Sequence, residues 1–201
     1  CFPQAENQPL SIDLSLANPD QTEITVGETD FLQLTFTNNT DTKINVIPPL
    51  DGSYRGRYPR YTINVVSPLP VKPSYPPPYC GTVNPLTLDD FIPIQPHQSH
   101  TLTEFPWLRP FIPLVAGEYK ISYTVQFDSG NEEFLGSLNP EYPPDPLDQI
   151  IEELNLVPRV DIQSPTLTLN VVSNGQTLDP KYHCLMGMPK AEIDRMFSRF
   201  Y

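Results

Sequence analysis

Twenty-six prolines stand against nine glycines in this chain of 201 residues, and that ratio restricts the fold more than any other feature. Proline has no amide proton to donate and its ring clashes with the preceding helical turn, so it is poorly tolerated inside helices and central strands. Long stretches such as SPLPVKPSYPPPYCGTVNP, residues 67–85, must therefore run as stiff, irregular connections. Between the proline-rich stretches, apolar and polar residues alternate with period two, which is the pattern of half-buried strands. The alternation predicts strands at 10–16, 31–37, 43–47, 61–66, 86–94, 99–105, 117–127 and 164–172, with turns at TVGET (25–29) and NNTDT. The clearest is GEYKISYTVQF, which sets Tyr119, Ile121, Tyr123, Val125 and Phe127 on one face.

Two helices are predicted outside the strand series. In PDPLDQIIEELNL, residues 144–156, Asp145 reads as an N-cap, Pro146 as the first helical residue, and Leu147, Ile150, Ile151 and Leu154 as one face. In PKAEIDRMFSRFY, residues 189–201, Ile193, Met196, Phe197, Phe200 and Tyr201 recur at helical spacing. Short strands with no interleaved helices predict an all-β fold, an antiparallel sandwich of about seven or eight strands with two short peripheral helices. The domain spans 10–173, between an N-terminal linker at 1–9 and a tail at 174–201 that carries the second helix.

Charge restricts the partners. With 24 acidic and 12 basic side chains the net charge is −12, a field that repels nucleic acid and anionic lipid. No apolar run approaches the roughly 20 residues of a membrane-spanning helix. Against this background YRGRYPRY, residues 54–61, places Tyr54, Arg55, Arg57, Tyr58 and Arg60 together, with Tyr61 beside them. Tyrosine and arginine dominate interface energetics because they join large contact area to directed hydrogen bonds. These five residues, Trp107, and the tail residues Ile193, Met196, Phe197, Phe200 and Tyr201 are the predicted partner-binding set.

Two family resemblances sharpen this reading. Cys1, leading into the polar stretch CFPQAENQP, resembles the start of mature bacterial lipoproteins. The resemblance implies lipidation at Cys1 and a location in the bacterial cell envelope held by that lipid alone, with secretion as the alternative. Assigning Cys1 to lipid leaves Cys80 and Cys184 as an even pair, which in an oxidising compartment reads as one disulfide. It would close a loop of about a hundred residues, worth about 4–5 kcal/mol on the chain-entropy account. The second resemblance lies in I-P-I-Q-P-H-Q-S-H-T-L followed by A-G-E-Y-K-I-S-Y-T-V, which is similar to an immunoglobulin-like module of bacterial envelope proteins and to the Bacillus-type proteinase-inhibitor domain. Pro96-His97 stands where that pattern carries Pro-Gly, and Ala116-Gly117 where it carries a second Pro-Gly. The module implies an accessory or binding role.

Sites of chemistry are sparse. His183, Cys184, Met186 and Met188 are ligand types that soft metals favour. His183 precedes Cys184 and no histidine follows, and neighbouring side chains of a strand point to opposite faces, so the cluster reads as structural. His97 and His100 sit in a turn entering a strand, Asp89, Asp90 and Glu104 read as solvated charge, and DSGNEE (128–133) reads as a hairpin turn rather than a calcium loop. Asn38-Asn39-Thr40 is the one glycosylation triplet. There is no H-E-x-x-H, G-x-S-x-G or phosphate-cradling glycine loop. FPWLRPF resembles a loop of chagasin-type cysteine-protease inhibitors, but their N-P-T-T-G partner motif is missing. The sequence therefore predicts a non-enzymatic binding or assembly subunit without metal, cofactor or small-molecule substrate, docking on a protein partner. A secreted protease inhibitor and a metal-carrying envelope protein are the alternatives.

Overall fold

Alternating side chains build two facing sheets. The computed structural model describes residues 8–28, 31–50, 58–66, 84–102, 113, 115–130, 135–136, 145–173 and 175. β1 (Leu10–Leu16), β2 (Ile24–Thr25), β3 (Leu32–Asn38), β4 (Ile44–Val46), β5 (Arg60–Val66), β6 (Ile92–Ile94), β7 (Ser99–Leu102), β8 (Gly117–Phe127), β9 (Val160–Gln163) and β10 (Leu167–Val172) follow in chain order, with one helix, α1 (Leu147–Leu154). One sheet has the order β1-β3-β7 and the other β2-β10-β8-β5, with β9 also on β8. All these pairings are antiparallel except β2 with β10. The leading segment thus gives β1 to one sheet and β2 to the other. This is the arrangement of an immunoglobulin-like sandwich.

The core lies between the sheets. β1 contributes Leu10, Ile12 and Leu14, β3 contributes Leu32, Leu34 and Phe36, and all five residues predicted for the inner face of β8 are buried. Phe36 of the first sheet meets Tyr61 edge-on (6.4 Å) and Phe127 in a stack (6.2 Å), both from the second sheet, while Tyr61 meets Phe127 edge-on at 6.2 Å. Aromatic pairs in these geometries add about 0.5–1.5 kcal/mol beyond their buried area. Tyr61 donates its hydroxyl to the Ile47 carbonyl at 2.6 Å, which satisfies the polar end of a ring that is 1% exposed. The outer face of the first sheet is hydroxyl-rich, with Thr35 against Thr101 (2.9 Å) and Thr37 against Ser99 (2.8 Å), cross-strand pairs suited to water.

Two turns carry the motif of the resemblance. Gln98 N–H donates to Gln95 O at 3.0 Å, and His97 has φ 56°, the left-handed value that a type II turn demands after a proline at its second position. His97 therefore fills the place glycine holds in the family pattern. At the start of β8, Gly117 has φ 140°, and the Tyr119 hydroxyl donates back to Val115 O (2.9 Å) and accepts from Val115 N–H (3.3 Å). That return bond is the tyrosine corner of immunoglobulin-like sandwiches.

Several expected boundaries move. Residues 86–94 are not one strand: Thr87 and Asp90 form a capping box around a 3-10 turn at Leu88–Asp90, and only β6 remains extended. Asp145 does not cap α1, whose N-cap is Pro146; its carboxylate instead accepts the Leu88 N–H at 2.9 Å, drawing the helix start onto that turn. TVGET is not wholly a turn, because Ile24 and Thr25 pair in parallel with Val171 and Val172. β9 was not expected, and it lengthens the final strand beyond a break at Ser164–Thr166. Strand 99–105 is seen as β7, with 103–105 outside the described residues, as is the predicted tail helix.

Inserted elements collect where β3 and β8 end and β5, β7 and β9 begin. β4 and β6 form a two-stranded ribbon there. Asn45 of the ribbon is fully buried and donates to the Glu153 carbonyl (3.0 Å) and carboxylate (2.6 Å), and its own N–H donates to Leu156 O (2.9 Å). Lys43 adds an ion pair to Glu153 at 3.7 Å. Ile150 and Leu154 turn the buried face of α1 into the core. Among the described residues, no helix is long and apolar enough to cross a membrane.

Candidate functional site

The inward residues of β5, β8 and β9 are apolar, so the alternation sends the even-numbered residues of β5 and β8 and the odd-numbered residues of β9 outward. Register places Arg60 opposite Gln126, and Gln126 opposite Asp161, in one row across three strands. The Gln126 amide donates to the Asp161 carboxylate at 2.9 Å. Just beyond these strand ends stand Tyr58, Asp128 and Arg159. The Arg60 guanidinium carbon lies 4.3 Å from the centre of the Tyr58 ring, a cation–π contact. Arg159 Nε stands 4.0 Å from Asp128 Oδ1, and its side chain is 70% exposed. Tyr58, Gln126, Phe127, Asp128, Arg159, Val160 and Asp161 line a shallow depression of about 260 Å³, with Arg60 beside it on the Tyr58 ring.

Gly130 lies beside the end of the Arg159 side chain. A Cβ on Gly130 would lie 2.3 Å from its Nη2 and 2.7 Å from its Cζ. A larger residue there would push the end of this flexible, exposed side chain aside.

Of the predicted partner-binding residues, Tyr58 and Arg60 come together here. Tyr61, next to them in sequence, does not: odd parity sends it inward to the core. Tyr54, Arg55, Arg57, Trp107, Ile193, Met196, Phe197, Phe200 and Tyr201 lie outside the described residues, as do Cys1, Cys80 and Cys184. Sequence reasoning missed Arg159 and Asp161 because β9 was not recognised; the spacing of Val160 and Ile162 was the available signal. Asp128 appeared only as part of a turn.

The other candidates have structural partners. His97 Nε2 is 2.9 Å from Asp41 Oδ1. Asp90 accepts the Thr87 N–H at 2.8 Å and the Thr87 hydroxyl at 3.0 Å. The glycosylation triplet is a fold element: Asn38 is 0% exposed, its amide donates to the carbonyls of Thr42 (2.8 Å), Ile94 (3.1 Å) and Gln95 (3.2 Å), and its oxygen accepts from Thr40 N–H (2.9 Å) and hydroxyl (2.8 Å). A glycan cannot be accommodated on that nitrogen in the folded chain. Among the described residues, no three His, Cys, Asp or Glu side chains converge as a metal site.

No family model matches the chain, and no curated protein matches it. Among solved structures it is similar to native alpha-2-macroglobulin from Escherichia coli, in a structure spanning domain MG7 to the C-terminus, at 13% identity and a TM-score of 0.35. The match covers 82% of this chain and 17% of that one. The immunoglobulin-like assignment itself rests on the strand order and the tyrosine corner.

Proposed function

We propose that this chain is a non-catalytic binding or assembly subunit of the bacterial cell envelope, anchored by lipid on Cys1 and docking on a protein partner. The observation that carries the reading is the outward grouping of Tyr58, Arg60 and Arg159 in a chain of net charge −12. Aromatic and guanidinium groups around a shallow depression supply what interface hot spots use. A position beside inserted segments at one end of the sandwich favours it as well, since immunoglobulin-like domains recognise partners through loops gathered at one end. The tail helix at 189–201 is a second docking element in this proposal, and a Cys80–Cys184 disulfide its covalent tie.

A photo-crosslinking residue at position 58, in the full chain expressed in an envelope-bearing bacterium, tests the docking surface. A discrete adduct that disappears in Arg60→Glu/Arg159→Glu, and that is absent when the probe sits at Thr62, supports the proposal. Equal adducts from positions 58 and 62 would sink it. Peptide mass spectrometry on unreduced protein tests the anchor: lipid mass on Cys1 and a Cys80–Cys184 crosslink are expected, and an unmodified Cys1 overturns the lipoprotein part.

A further inference from the structure

The strand edges of the two sheets differ in how they refuse a further strand. An edge presents unpaired amides and carbonyls, and natural sheets blunt it with short length, a charge, a proline or a bulge. β2, β7 and β9 have only two to four residues. β10 follows Pro165 and carries β2 on its last two residues. β1 has seven residues and an exposed Asp13 at its centre. β5 has none of these devices. It runs for seven residues, RYTINVV, without proline or glycine, and its only charge is Arg60 at the first position. Among the described residues, no strand pairs with β5 on the side away from β8.

The side chains of this edge favour a further strand as well. Tyr, Thr, Ile and Val are the types enriched in sheets. Ile63 and Val65 are half-buried against the core, and Val66, at 68%, is the most exposed large hydrophobic among the described residues. We infer that the β5 edge pairs with the β5 edge of a second copy of this chain, antiparallel about a two-fold axis at Ile63. That register uses all seven residues. Ile63 meets Ile63 of the second copy and Tyr61 meets Val65, which makes the core side of the seam apolar. On the outer side Thr62 meets Asn64, and Arg60 meets Val66, whose exposed surface the aliphatic stem of the arginine covers. No like charges face each other there. The equivalent self-pairing of β1 sets Asp13 against Asp13, so the same contact is opposed at that edge. An isologous pair closes at two chains and leaves neither β5 edge open. The net charge of −12 on each copy resists their approach, a repulsion that salt screens. This pairing goes beyond the docking proposal and does not rest on it.

Sedimentation equilibrium of the full chain, at concentrations up to about 1 mM and at about 0.05 M and about 0.5 M salt, tests the pairing. A monomer–dimer equilibrium is expected, weak because a seven-residue edge is a small interface, and tighter at the higher salt. Thr62→Lys/Asn64→Lys changes two exposed positions and sets lysine opposite lysine twice across the axis; it should weaken the dimer about tenfold. The same variant lowers the net negative charge, so overall repulsion cannot account for that loss. Thr62→Lys/Asn64→Glu sets opposite charges across the same positions and should bring the dimer back to within about threefold of the parent. Thermal unfolding in dilute solution checks that all three chains fold alike. A monomer throughout at both salts, a dimer indifferent to the double lysine, or no recovery with the lysine–glutamate pair would each overturn the inference. A photo-crosslinking probe at Thr62 would link two copies at twice the chain mass, which separates this seam from a partner adduct at position 58.

Discussion

The Ser164 amide donates to the Tyr123 carbonyl at 2.8 Å while the Ser164 hydroxyl accepts the Tyr123 amide proton at 3.0 Å, so a side chain replaces one rung of the backbone ladder. Gln163 pairs with Thr124 and Leu167 with Ile121, which leaves three residues of the last strand facing two of β8. This is a bulge, and Pro165 sits in it where no ladder donor is needed. The extra residue switches the inward parity from Ile162 and Ser164 to Leu169 and Val171. Both halves of the strand thereby keep their apolar side toward the core.

Ser164→Ala leaves the Tyr123 amide buried without an acceptor. A loss of about 1–3 kcal/mol is expected, read as a lower urea midpoint at unchanged slope, with faster hydrogen exchange at the Tyr123 amide. Unchanged exchange there would show that the hydroxyl is dispensable.

Asn38→Ala removes five hydrogen bonds at a fully buried position and leaves the Thr40 N–H without its acceptor, while Gln95 O keeps the Gln98 N–H and Thr42 O the Thr40 hydroxyl. The expected cost is about 3 kcal/mol or more. In Asn38→Asp a carboxylate would face those carbonyls, so its pKa in the folded state is raised. That variant should be least stable at neutral pH and recover as pH falls through the raised value, which thermal unfolding across a pH series would reveal.

Tyr119→Phe keeps the ring in the core and deletes the return bonds to Val115. A modest loss, about 1 kcal/mol, is expected from thermal unfolding. Phe36→Ala, which opens the three-ring contact between the sheets, should cost about 3–5 kcal/mol by the same measurement.

Glu28 gives the fold an acid-sensitive corner. Its slight burial would raise the carboxyl, but the Thr25 N–H (2.8 Å), the Gln21 amide (2.6 Å) and the Thr25 hydroxyl (3.0 Å) outweigh it and hold the carboxyl below its ordinary value of 4.5. A depressed carboxyl contributes stability that is complete above the ordinary value and is lost as pH falls through the folded value. Glu28→Gln should therefore be less stable than the parent near neutrality and converge with it in acid; parallel stability curves from neutrality down to about pH 3 would refute the assignment.

The strands β1, β3, β5 and β8 were legible because period two is a local property: successive side chains must point to opposite faces, and the apolar set declares which face is buried. The all-β class, the inner face of β8 and the turn at Gln95–Gln98 follow from such short-range rules. Local rules failed wherever a distant group competed. Asp145 is a competent N-cap by type, yet it serves the Leu88 amide because folding brings that orphan donor within 2.9 Å. Tyr61 looks like part of an exposed Arg/Tyr run, but parity and the rings of Phe36 and Phe127 take it inside. Asn38 looks like a surface asparagine until Ile94 and Gln95, more than fifty residues away, present their carbonyls. Arg159 gains its neighbours only when the chain leaving β8 brings Asp128 and Gly130 beside it. Secondary structure could be read from neighbours along the chain, whereas partners, burial of polar groups and the outward cluster depend on which strands lie side by side, and that is settled by packing one apolar face against the other.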